Sequence, residues 1–144
     1  MTQDILLTDL AAGFPTLAFD LKYATTDNIT GYAIYHEARA LLHPEAARAL
    51  QKSVEVARLA GFTLLIFDAY RPQQAQWHLW DACPDADYVV PPATGSNHSR
   101  GVAIDLTLVD GAGKCWIWVR PLMRWKICRI RSIPMYRHRH SAIV

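Results

Sequence analysis

Ser96-Asn97-His98-Ser99-Arg100-Gly101-Val102-Ala103-Ile104-Asp105 sets an imidazole and a carboxylate seven residues apart. Both are good zinc ligands, each binding at about 2 Å from the ion. The spacing limits how they could meet. In one straight strand, residues seven apart point to opposite faces. In one helix they share a face but stand about 10 Å apart along the axis. Neither arrangement serves a single ion, so a turn must lie between them. Gly101 can supply that turn, and an extended segment after it would deliver Asp105. Ala103, one step away on the same face, leaves room beside a metal. By itself, such a pair is more often a surface hydrogen bond than a metal site.

Arg71, in Asp68-Ala69-Tyr70-Arg71-Pro72, is the second candidate. A guanidinium fixed in a cleft can stabilise charge on a reacting oxygen. An isolated arginine is more often half of a structural ion pair, and Asp68 is available as that partner.

The elements that would hold these residues follow from pattern. Pro44 suits the first position of a helix running to about Ala60, and Gly61 suits the position past its end. Ala47, Leu50, Val54 and Ala57 give that helix a core side. Phe62 to Phe67 is a short apolar run that reads as a buried strand. Asp68 to Arg71 ends it, and Pro72 opens a second helix from Gln73 to about Ala82. Arg71 then sits at a strand-to-helix junction, where it can point into a cleft. Leu17 to Ala24 partly alternates and reads as a strand, with turn chemistry over Thr26 to Gly31. Pro84 to Gly95 is loop-like. From Val102 to Val109, Val102, Ile104, Leu106 and Leu108 face one way, and Ala103, Asp105 and Thr107 face the other. Helices and strands mix without a regular alternation, which predicts an α+β fold with a mostly antiparallel sheet.

Composition bounds the rest. The chain has 144 residues, 51% of them apolar, which suits one domain with one core. No apolar run approaches membrane-spanning length. The N-terminus lacks a basic segment followed by an apolar one, so a cytoplasmic protein is expected. Three cysteines, Cys83, Cys115 and Cys128, are too few and too irregular for a disulfide framework, and no C-x-x-C pair suggests structural zinc. The net charge of +2 hides a division. Residues 1–113 hold seven Lys/Arg and all 13 Asp/Glu, whereas residues 114–144 hold eight Lys/Arg and no acid.

Ser-x-His-x-x-Gly-x-Ala-x-Asp resembles the signature of the VanX-type D-Ala-D-Ala dipeptidases, within a wider group of zinc peptidases that includes D,D-carboxypeptidases and hedgehog-like domains. Leu21-Lys22-Tyr23-Ala24-Thr25 with Asp27-Asn28-Ile29-Thr30-Gly31 is similar to the family's N-terminal segment. Phe67-Asp68-Ala69-Tyr70-Arg71-Pro72 is similar to its Asp-x-Tyr-Arg-Pro motif. Together they cover nearly all of residues 1–113, in the family's order. The resemblance implies a hedgehog/D-Ala-D-Ala-peptidase-like fold and one zinc ion per chain, with His98 and Asp105 as ligands. It implies that Arg71 stabilises the charge on the attacked carbonyl, and that Tyr23 and Ser96 help hold a small D,D-dipeptide. Nucleic acid and membrane are not expected partners. A D,D-carboxypeptidase and a non-catalytic remnant or binding module are the alternatives.

The resemblance also implies a Glu-x-x-His motif near the C-terminus, giving a general base and a third zinc ligand. No Glu follows Glu55, and the late histidines His138 and His140 lie in Arg-His-Arg-His. Residues 1–113 are therefore expected to form an incomplete dipeptidase domain, and residues 114–144 a basic, non-native tail. A shifted frame accounts for the tail. Trp has only the codon TGG, so the overlap of Cys115 with Trp116 encodes Leu and that of Trp116 with Ile117 encodes Asp. Trp118 with Val119 then encodes Gly, and Trp125 with Lys126 encodes Glu. This restores the acids and glycine that the tail lacks and resembles the family's continuation, so a one-base shift near Lys114 is expected. Basic segments with tryptophan also bind nucleic acid or anionic membranes, but this one has no clear periodicity.

Overall fold

The computed structural model describes residues 6–116. Most of the expected tail, with His138 and His140, lies outside the described residues. The central element is β4 (Phe62–Asp68), flanked by β2 (Ala18–Phe19) and β5 (Asp105–Asp110), with β6 (Cys115–Trp116) beyond β5. β2 runs parallel to β4, while β5 and β6 continue antiparallel. β1 (Thr8–Asp9) and β3 (Leu41–Leu42) form a separate antiparallel pair. The fold is thus α+β with a mostly antiparallel sheet. The sheet continues through Trp116.

The long helix α2 (Pro44–Leu59) packs on β4; a short helix, α1 (Leu10–Gly13), precedes it in the chain. Pro44 sits at the start of α2, and the His43 ring accepts the Glu45 N–H at 3.2 Å. Glu45 in the first turn and Arg58 in the last complement the helix dipole. Ala47 and Leu50 are buried, with Val54 and Ala57 packed beside them, as the 3.6-residue spacing requires. They meet Leu64 and Ile66 of β4 together with Leu10, Leu17 and Leu42. A smaller apolar cluster gathers Leu79, Cys83 and Val89 beside α3 (Gln73–Ala82).

Two expectations need correction. The alternating run from Leu17 forms a strand only at Ala18–Phe19, and Lys22–Ala24 is a 3₁₀ turn. The Lys22 ammonium reaches Asp20 at 2.6 Å and Asp27 at 3.1 Å, which curls the chain back on itself. The strand expected from Val102, β5, begins at Asp105. Val102 still belongs to the preceding turn, because its N–H donates to Asn97 O at 3.1 Å. Val102 is accordingly 51% exposed, while Thr107, expected on the polar face, is buried.

Candidate active site

The site is assembled where β4 ends and β5 begins, with the 96–101 turn beside them. Register decides its geometry. Ile66 pairs with Leu106, but the next pair is Asp68 with Asp105, so Phe67 is an extra residue bulged out of β4. Without the bulge, Asp105 would face Phe67, and Asp68 would stay on the core side with Leu64 and Ile66. The bulge turns two carboxylates toward one place, a common use of this irregularity beside active sites.

His98 enters from the turn. The Ser96 hydroxyl accepts the His98 N–H at 3.2 Å, and Gly101 adopts φ 72°. The sharp reversal expected between His98 and Asp105 is therefore present. Gly101 is needed for a second reason: a Cβ there would lie 3.1 Å from His43 N. Two bonds clasp the turn to the end of β4. Arg71 N–H donates to His98 O at 3.0 Å, and His98 Nδ1 lies 2.9 Å from Ala69 O. A carbonyl can only accept, so Nδ1 carries a proton and the other ring nitrogen, Nε2, is left as the donor atom for a metal. Nε2 stands 3.5 Å from Asp105 Oδ1.

Asp68, His98 and Asp105 each offer an atom within 4.8 Å of the others. The three are not equivalent. Asp68 faces the protonated Nδ1, at 3.7 Å, whereas Asp105 faces Nε2. Asp68 Oδ1 accepts the Tyr35 hydroxyl at 2.7 Å, and Oδ2 accepts Arg71 Nε at 3.0 Å and Nη2 at 2.7 Å. Its lone pairs are largely engaged, while the Asp105 side chain is 51% exposed and open. His98 Nε2 and Asp105 are therefore the two open donor atoms of the group that could hold a metal ion, and Asp68 is the anchor of Arg71.

The Arg71 guanidinium is buried, its Cζ 5.0 Å from the centre of the Tyr23 ring. Nη1 donates to Gln76 Oε1 at 2.9 Å, and Nη2 reaches to 3.7 Å from Asp105 Oδ2. A cation is thus aimed at the edge of the donor pair. Burial opposes the charge on Arg71, but the neighbouring Tyr23 and Asp68 outweigh it and hold the group protonated. Burial pushes the Asp68 carboxyl up, against the pull of Arg71 and Tyr35. Burial also pushes the Tyr35 hydroxyl well up, so it stays a donor. For His98, burial is outweighed by its bond to Asp105, and the ring is pushed up.

The five residues singled out in the sequence all fall in or beside this site. His98, Asp105 and Arg71 converge, and Tyr23 lies against Arg71. Ser96 is buried, its hydroxyl turned to the backbone of its own loop. Asp68 is the ion-pair partner considered for Arg71. Sequence reasoning missed Tyr35 and Gln76. Nothing in the sequence marks Tyr35. Gln76 carries a signal, since it stands three residues before Leu79 and seven before Cys83, a polar residue at core spacing.

A family model described as D-ala-D-ala dipeptidase matches residues 3–116. The chain is 60% identical over 113 residues to D-alanyl-D-alanine dipeptidase of Escherichia coli (strain K12), covering 78% of this chain and 58% of that protein. It is 36% identical over 110 residues to the protein of the same name from Enterococcus faecium, covering 62% and 54%. With that of Streptomyces coelicolor it shares 35% over 132 residues, covering 75% and 62%. The chain thus spans between 54% and 62% of the length of these relatives. Among the described residues, no helix is long and apolar enough to cross a membrane.

Proposed function

This chain belongs to the D-Ala-D-Ala dipeptidase family of peptidases, and from that membership we propose that it serves zinc-dependent hydrolysis of the dipeptide D-Ala-D-Ala. One observation carries the reading: a buried guanidinium, Arg71, has Nη2 3.7 Å from Asp105 Oδ2, beside the His98–Asp105 donor pair. In this proposal His98 Nε2 and Asp105 hold the ion, which when bound polarises the scissile carbonyl as a Lewis acid. Arg71 offers fixed N–H donors to the oxygen that gains negative charge as water adds to the carbonyl carbon. That favours the transition state over the ground state, because the charge exists only after attack. The C–N bond then breaks, the leaving nitrogen takes up a proton from the added water, and two D-alanines leave. Tyr23, against the arginine, and Ser96, which closes the His98 turn, border the small substrate.

The resemblance calls for a further ligand and a base, and the 144 residues contain no Glu after Glu55 to supply that base. The same proposal assigns residues 1–113 to the dipeptidase domain and residues 114–144 to a shifted reading frame, because the overlapping codons from Cys115 to Lys126 restore acids and a glycine. Reading the DNA through the codon of Lys114 against an intact relative tests the shift, and an unbroken frame there rejects it.

The activity is tested by D-alanine release from D-Ala-D-Ala, using the purified 144-residue chain with added zinc. Release that disappears in His98→Ala is the expected result for a working dipeptidase. Wild-type release that persists in His98→Ala or Arg71→Ala rules out the role proposed for the substituted residue. No release by this chain, with release once the frame and the C-terminal segment are restored, is the result the shifted frame predicts; no release from either favours the alternative of a binding-only protein.

A further inference from the structure

Asp68 grips Arg71 through a single oxygen. Nε and Nη2 both donate to Oδ2, at 3.0 Å and 2.7 Å, while Oδ1 is taken by Tyr35. A guanidinium held by both oxygens of a carboxylate is locked in its plane. One held on a single oxygen can pivot about it. The second point of attachment lies across the fork, where Nη1 donates to Gln76 Oε1 at 2.9 Å. Gln76 is only 1% exposed, and the other end of its carboxamide, Nε2, donates to Val90 O at 2.8 Å. One side chain thus spans from the arginine to the segment that leads into the His98 turn. Gln73, one turn earlier on α3, ties that segment through Pro92 O at 2.7 Å, with no contact to Arg71 among the described hydrogen bonds.

We propose that Gln76 is a positioning residue, whose carboxamide stops the pivot of Arg71 and keeps Nη2 turned toward Asp105. The inference rests on the reading of Arg71 as the group that stabilises the charged oxygen. A buried guanidinium free to swing would meet that oxygen in only part of its orientations. It would also leave Nη1 without an acceptor, a state that burial penalises.

Nitrogen-15 NMR of the arginine side chains in the 144-residue chain tests the bridge directly. Arg71 should give exchange-protected Nε–H and Nη1–H signals. In Gln76→Met, of similar shape, Nη1–H protection should fall about tenfold or more, while Nε–H, held by Asp68, keeps its own. Gln76→Glu retains the acceptor and loses the donor, so Nη1–H stays protected and the Val90 signals shift. Gln73→Leu should loosen the segment without altering Arg71. Unchanged Nη1–H protection in Gln76→Met overturns the proposal. Should that variant fail to fold, as dispersed amide signals will report, loss of Nη1–H protection in Gln73→Leu overturns it instead. D-alanine release by the same samples separates this inference from the activity. A fall in kcat with little change in KM in Gln76→Met ties the bridge to turnover. A wild-type chain without release bears only on the turnover of this chain, while the Arg71 signals still decide on the bridge.

Discussion

Asp68 places a carboxylate where only 1% of the residue is exposed, and three donated hydrogen bonds make that tolerable. Removing one member of a buried pair is costly because the other charge stays behind without compensation. Asp68→Asn should therefore lower stability by about 3 kcal/mol, read as a fall in the urea midpoint. A shift of less than about 0.5 kcal/mol, the size of an ordinary surface substitution, would show that Arg71 finds another partner. Lys22 gives a pH-dependent counterpart. Burial lowers its pKa, but Asp20 and Asp27 outweigh burial, so the ammonium is held above its ordinary 10.5. A group with a raised folded pKa binds its proton more tightly when folded. Its contribution is complete below about 10.5, the unfolded value, and is lost as pH rises through the folded one. The stability gap between wild type and Lys22→Met should thus be constant near neutrality and shrink in strong alkali. A gap that widens above that pH would reject this sign.

Local pattern fixed those elements whose ends carry their own chemistry. Pro44 and Gly61 bracket α2, and Pro72 opens α3, so both helices were legible to within a residue or so. β4 was legible as an apolar run. The pairing of Asp68 with Asp105 was not, because a bulge is a property of two strands together and neither sequence announces it. For the same reason the roles of Tyr35 and Gln76 were hidden: each is defined by a partner far along the chain. His98, Asp105 and Arg71 were legible because a pair of metal-ligating residue types, a glycine and an arginine sit in short motifs. The turn between His98 and Asp105 makes a prediction of its own. Gly101→Ala must hold a side chain at φ 72° and press it to 3.1 Å from His43 N. A cost of about 1–3 kcal/mol is expected, with weaker zinc binding because His98 is displaced. Calorimetric titration of zinc and a denaturant melt check both, and unaltered values would mean that the turn can relax.

For the molecule as a whole, a cation that binds only the folded chain must stabilise it. At a zinc concentration of about 100 times Kd, the gain is about 2.7 kcal/mol. A melting temperature raised by about 4 °C or more is expected with zinc. It should be reversed by a chelator and absent in a His98→Ala, Asp105→Asn double variant. No shift in the wild-type chain would reject the donor pair as a metal site. The β4–β5 pairing has a further consequence, one of kinetics. Asp68 and Asp105 are brought opposite each other only after the whole intervening chain, α3 included, has been closed into a loop. Such non-local contacts form slowly, since the entropy of closure is lost before any contact rewards it. α2 and its contacts with β4 are local and can form early. The donor pair should therefore be among the last features to appear during refolding, and a chain emerging from synthesis has no site until residue 105 has joined the strand that ended at residue 68.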